Sequence, residues 1–267
     1  MDTHFIEYRS AKICYHTTGN GKPLMLVHGF GEDSTVWNRQ VDFLKDDYKL
    51  IMPDLPGSGQ SALLENAGID EYADVLKAIL DKENIDKCVM LGHSMGGYIT
   101  LAFAEKYPDS LEKFGLIHST AFADDEEKKA TREKGIAFIE KNGAYEFLKT
   151  SIPGLFAAAF TKDHPAEIEK LVDKGKDFTA EALIQYYRAM IARPDRTAVL
   201  KSFHGPILFI FGAHDKAIPF PKSLQQSYVA AVSHVHILRK SGHMGMWEET
   251  ELMNRYIKDF CFRFIIF

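Results

Sequence analysis

The feature that most restricts this chain is a rhythm of short, wholly apolar runs alternating with helical segments. PLMLVH (residues 23–28), YKLIM (48–52), KCVML (87–91) and FGLI (114–117) each stop at turn-forming or polar residues. Runs apolar throughout are expected for strands buried on both faces, and parallel neighbours need long crossovers between them. Helical periodicity fills the gaps. Residues 34–44 carry Val36, Trp37, Val41 and Leu44 on one face, with Ser34 as the expected N-cap, and further helices are predicted at 70–80 and 95–107. Residues 4–19 read as an additional strand pair. The order predicts a parallel sheet with helices on both faces.

The rhythm then breaks. Residues 122–203 contain no convincing buried strand and read as helices at 124–141, 144–148, 165–174 and 179–193. The run DDEEKKATREK in the first of these reads as a solvated helix face. Afterwards the sheet resumes with PILFIF (206–211), a helix at 221–232, HVHIL (234–238) and a closing helix at 247–260. The prediction is one doubly wound α/β core built from residues 1–120 and 204–267, interrupted by a helical insertion at 121–203.

Composition narrows the function. The 267 residues are 46% hydrophobic and 26% charged, an ordinary globular balance that excludes disordered and disulfide-stapled classes. Thirty-seven acids against 32 Lys and Arg give a formal charge of −5. A weakly acidic chain has no general attraction for phosphate backbones, so no nucleic-acid partner is expected. Cys14, Cys88 and Cys261 are too scattered for a metal motif and read as reduced core residues. The N-terminus does not read as a signal peptide, no run approaches the ~20 apolar residues of a membrane span, and the expected location is the cytoplasm. The apolar tail at 260–267 is expected to dock on the core.

Chemistry concentrates at Gly92-His93-Ser94-Met95-Gly96-Gly97, between the third apolar run and a helix. G-x-S-x-G is informative in that setting, because a sharp strand-to-helix turn projects the serine at the carboxyl edge of the sheet. A serine hydroxyl needs a base, and the base needs an orienting acid. Among eleven histidines, His243 lies in a loop after HVHIL, at the correct sheet edge. His28 and His93 read as loop-holding residues, His118 as structural, and His4, His16, His164 and His204 as surface or loop residues. Asp215 follows PILFIF, giving the order Ser94, Asp215, His243; Asp124 is the alternative acid. Backbone N–H groups of Phe30, in His28-Gly29-Phe30-Gly31, and of Met95 are the expected donors to a tetrahedral oxyanion. Phe122 and Phe156 from the insertion, with Met246 beside His243, are candidates for an apolar acyl pocket. The loop Pro56-Gly57-Ser58-Gly59-Gln60-Ser61 lacks the lysine of a phosphate-binding loop.

These motifs, with Asp54-Leu55-Pro56-Gly57, Gly212-Ala213-His214-Asp215 and Gly242-His243, make the chain similar to the α/β-hydrolase superfamily over nearly its whole length. The resemblance implies a mainly parallel eight-stranded sheet with a helical lid after strand six, near residues 121–203. Arg193-Pro194-Asp195-Arg196 resembles the return of the lid to the core, and the PGSGQS loop is implied to be structural. Relatives with aspartate at the nucleophile position, the dehalogenases and epoxide hydrolases, are disfavoured by Ser94. The expectation is a serine hydrolase of the carboxylesterase kind. It would cleave a small-molecule ester or thioester through an acyl-enzyme on Ser94, with no metal and no cofactor. C–C bond hydrolysis, hydroxynitrile cleavage, perhydrolysis and a slow-hydrolysing small-molecule receptor are the alternatives.

Overall fold

The computed structural model describes residues 1–262. Eight strands form one sheet: β1 (Asp2–Tyr8), β2 (Ala11–Thr18), β3 (Lys22–Val27), β4 (Tyr48–Pro53), β5 (Cys88–His93), β6 (Leu111–Ile117), β7 (Ile207–Gly212) and β8 (Ser233–Leu238). Their order is β1-β2-β4-β3-β5-β6-β7-β8. The pairs β1/β2 and β2/β4 are antiparallel, and every other neighbouring pair is parallel. The central runs follow their sequence pattern: β5 and β7 are buried at every position, whereas the edge strands β1 and β8 are half-exposed. Strand order reverses at β3, and ligand crevices form beyond the carboxyl ends of strands at such a switch point.

The helices are α1 (Asn38–Leu44), α2 (Ile69–Lys82), α3 (Met95–Lys106), α4 (Glu126–Asn142), α5 (Ala144–Ser151), α6 (Ala158–Asp163), α7 (Pro165–Lys174), α8 (Ala180–Ala192), α9 (Thr197–Ser202), α10 (Phe220–Ser223), α11 (Gly245–Glu248) and α12 (Thr250–Phe262). They cover both faces of the sheet, with α2 packed on α3 and α1 packed on α11 and α12. Helix α3 is buried around its whole circumference from Met95 to Ala104, as its near-continuous apolar sequence requires. Trp37 is fully buried, and all three cysteines are buried free thiols.

Between β6 and β7 the chain runs only through helices and turns, from α4 to α9. Its return is tied down by arginine. Arg193 donates to Asp124 at 2.9 Å and to the carbonyls of Met190 and Phe122. Arg196 donates to Glu105 at 2.9 Å and Asp70 at 2.6 Å.

Several local expectations are corrected. Asp33, not Ser34, caps the first helical turn, its carboxylate accepting the Thr35 N–H. That turn is 3-10 over Ser34–Trp37 before α1 begins. The helix expected at 221–232 is only α10 followed by a 3-10 segment, Leu224–Tyr228. His16 is not a surface residue; it is buried beside Cys14, with Nε2 3.6 Å from Asp54 Oδ2. Asp54 also accepts the N–H groups of Ser34 and Gln60, which holds the PGSGQS loop in place. At the tail, Phe260 and Cys261 are buried in α12 and Phe262 is exposed; residues 263–267 lie outside the described residues.

Candidate active site

The carboxyl ends of β3, β5, β7 and β8 deliver the four loops that carry the expected residues. Ser94 sits between β5 and α3 at φ +50, ψ −115, a conformation that L residues rarely adopt. Glycine on either side makes this turn possible. A Cβ on Gly92 would lie 2.2 Å from the Gly96 carbonyl oxygen, and one on Gly96 would lie 2.4 Å from that of Val27. The turn is clamped by the Ser94 N–H donating to Ile117 O at 2.9 Å and by the Ser119 hydroxyl donating to Ser94 O at 2.7 Å.

Asp215 and His243 meet as expected. His243 Nδ1 lies 2.8 Å from Asp215 Oδ2, and both residues are buried. The other carboxylate oxygen accepts the N–H groups of Ala217 at 2.9 Å and Ile218 at 2.8 Å, which fixes its orientation. Burial pushes the Asp215 carboxyl up, but His243 and the neighbouring His118 override it and hold the group well below the usual carboxylate range. Asp124, the alternative acid, is bonded to Arg132 and Arg193 instead.

Ser94 and His243 line one cavity of about 150 Å³. That volume is close to a cavity that holds a benzene-sized guest. Phe30 lines the same cavity. Met95 is the first residue of α3, where helix N–H groups have no intrahelical acceptor. The pocket residues fall elsewhere. Phe122 lines an adjoining cleft, Phe156 is buried and stacked on Phe160, and Met246 is buried in the core. The apolar wall comes from Phe147, Leu148, Ile152, Leu155, Tyr187 and Met190. Phe156 fails as a pocket residue because the 3-10 turn Ile152–Leu155 directs Leu155 inward and leaves its neighbour against α6.

His28 and His93 hold loops, as the sequence suggests. His28 Nε2 accepts the Leu55 N–H at 2.9 Å, and His93 bonds Glu32 and the His243 carbonyl. His118 is fully buried beneath the site; its Nδ1 is 3.4 Å from Asp215 Oδ2, outside hydrogen-bond geometry, and its Nε2 accepts the Gly245 N–H at 3.3 Å.

Two residues, Glu32 and Glu248, have no counterpart in the sequence reading, and two others, Lys128 and Arg132, depart from it. Glu32 bonds both His93 and the Gly29 N–H. Glu248 accepts N–H groups from Ala157, Gly242 and Met244. Lys128, with Arg132, lines the cavity, so the charged run in α4 is not simply a solvated face. Their i, i+4 spacing is the signal that both belong on one side of the helix.

The α/β hydrolase fold family matches residues 22–250, and the chain belongs to that family. The relatives described next are hydrolases, and so is this protein. A 2-hydroxy-6-oxononadienedioate/2-hydroxy-6-oxononatrienedioate hydrolase of Paraburkholderia phymatum is 28% identical over 266 residues, covering 93% of this chain and 90% of the relative. A protein of the same name from Escherichia coli is 26% identical over 271 residues, covering 96% and 92%. Among solved structures, a thermophilic esterase from Thermogutta terrifontis superimposes with a TM-score of 0.91 at 28% identity, covering 97% of each chain. No helix among the described residues is long and apolar enough to cross a membrane.

Proposed function

We propose that this protein is a serine hydrolase that cleaves a small ester or thioester through an acyl-enzyme on Ser94. The observation that carries the reading is the 2.8 Å contact between His243 Nδ1 and Asp215 Oδ2 at the wall of the cavity Ser94 also lines. With the ionised Asp215 on Nδ1, the imidazole carries its hydrogen there and leaves Nε2 as the base. Ser94 Oγ attacks the scissile carbonyl and its proton passes to Nε2. The developing oxyanion takes hydrogen bonds from the Phe30 and Met95 N–H groups. His243 returns the proton to the leaving group and then activates water against the acyl-enzyme. The helical segment 121–203 acts as a lid on a core of 1–120 and 204–267. In support, the apolar cavity wall from Phe147 to Met190 comes from that segment.

A second reading, C–C bond hydrolysis by the same residues, is favoured by the relatives named 2-hydroxy-6-oxononadienedioate hydrolases, which align along almost the whole chain. A panel of p-nitrophenyl esters, acyl thioesters and 1,3-diketones separates the two. A fluorophosphonate probe should label the wild type and not Ser94→Ala, and turnover should fall ~10⁶-fold in that variant. Near-normal turnover in purified Ser94→Ala would overturn both readings.

A further inference from the structure

The cavity shared by Ser94 and His243 has an uneven charge. Its one lining carboxylate, Glu32, is engaged by His93 and the Gly29 N–H. Apart from that Glu32-paired histidine, its cations among the described residues are Lys128 and Arg132. Arg132 donates to Asp124, but Asp124 also serves Arg193, so that carboxylate is shared between two guanidiniums, while Asp124 and Asp215 attract the Lys128 ammonium only from beyond ion-pairing distance. Lys128 is the one with no carboxylate paired directly to it. Among the described residues its ammonium has a single hydrogen-bond partner, the Ala217 carbonyl at 2.9 Å, and no carboxylate within ion-pairing distance.

A purely structural role explains this lysine poorly. It is half-buried, and desolvation together with nearby Arg132 pushes its pKa below the ordinary lysine range. It stands in the first turn of α4, where a cation opposes the helix dipole. An ammonium has three N–H donors, and only one meets an acceptor supplied by the protein among the described residues. An anion entering the cavity would offset each of these costs. We propose that Lys128 forms an anion subsite, so that the preferred acyl group carries a carboxylate remote from the scissile carbonyl. The proposal rests on the reading of Ser94 and His243 as the reacting groups and names the substrate class for that site.

The test compares monoethyl adipate with ethyl hexanoate, which has the same acyl length without the charge, by proton release. The wild type should favour the half-ester at least 10-fold in kcat/KM. Lys128→Met should shrink that ratio at least 10-fold, Lys128→Arg should keep part of it, and Lys129→Met, next along the helix and paired with Glu126, should keep all of it. An unchanged ratio in Lys128→Met, or a wild type that prefers ethyl hexanoate, overturns the subsite. Calorimetry of monoethyl adipate on the Ser94→Ala protein decides it without catalysis. Binding should weaken at least 10-fold when Lys128→Met is added, and equal binding, or none to the Ser94→Ala protein, overturns the subsite. A wild type inert toward both esters counts against the ester-hydrolase reading, and the calorimetry still judges Lys128.

Discussion

Nδ1 of His93 lies 2.9 Å from Oε2 of Glu32, and both side chains are buried. Nε2 of the same ring donates to the His243 carbonyl at 2.9 Å, while Glu32 Oε2 also accepts the Gly29 N–H at 2.7 Å. A carbonyl can only accept, so Nε2 bears a hydrogen; facing an ionised Glu32, Nδ1 bears the second. Burial alone would push Glu32 up and His93 down. Their mutual attraction overrides it, holding Glu32 below its ordinary range and His93 above. One ion pair therefore joins the loop after β3, the Ser94 turn and the His243 loop.

Glu32→Gln should break that brace. Removing one partner of a buried pair costs about 3–5 kcal/mol, because the remaining group is left uncompensated. Urea unfolding should show a loss of that order. Turnover should drop ~10-fold with little change in KM, since loop positions and not substrate contacts are disturbed. Wild-type stability together with wild-type kcat would show that the pair braces nothing.

Asp215→Asn keeps the shape of the side chain and removes the charge that selects the His243 tautomer. The amide can still accept from Ala217 and Ile218 through its oxygen. That leaves its NH₂ facing His243 Nδ1 and favours the hydrogen on Nε2, where the base is needed. A ~10⁴-fold fall in kcat is expected, with the fold intact by circular dichroism. A fall smaller than about 10-fold would remove Asp215 from the proposed mechanism.

His118 gives a pH dependence of definite sign. Burial pushes its pKa down to about 4. The Gly245 N–H occupies Nε2, which keeps the ring neutral with its hydrogen on Nδ1 toward Asp215. The unfolded chain protonates this histidine near 6.5. Between pH 6.5 and 4 the unfolded state therefore binds more protons, and stability is lost as pH falls through that window. The shift corresponds to on the order of 3 kcal/mol. His118→Asn suits the backbone at φ +47 and should flatten the stability profile between pH 6.5 and 4 relative to wild type. Parallel urea-midpoint profiles for the two proteins would refute the assignment.

The sequence disclosed the strands and the proposed reacting groups for the same reason. β5 and β7 are buried on both faces and can only be apolar, and the Ser94 turn can only be glycine-flanked. Histidine order then singles out His243. The pocket was hidden because helix period does not say which apolar residue of a crowded run faces a cavity. Leu155 faces it and Phe156, its neighbour, does not. Charge was misleading in α4, where Lys128 and Arg132 sit in a run that looks solvated throughout but turn one edge toward the site. Glu32 and Glu248 were invisible because their partners are backbone N–H groups and a histidine distant in sequence.

Glu248 offers the sharpest test of how the helical segment is coupled to the proposed base. Its carboxylate accepts the Ala157 N–H at 2.7 Å on one oxygen, and the Gly242 and Met244 N–H groups at 2.8 and 3.1 Å on the other. The His243 N–H meanwhile donates to Leu155 O at 2.7 Å. The loop that carries the imidazole and the stretch that lines the cavity are thus stitched through one side chain and one backbone bond. Glu248→Ala strands three amides and should cost a few kcal/mol if water does not replace the carboxylate. Opening should be local, because β5 and β7 share none of these bonds. Hydrogen exchange should therefore accelerate at Ala157, Gly242 and Met244 by at least 10-fold, with the β5 amides unchanged, and kcat should fall as the imidazole loosens. Uniform acceleration across the sheet would mean that Glu248 supports global stability and not this coupling.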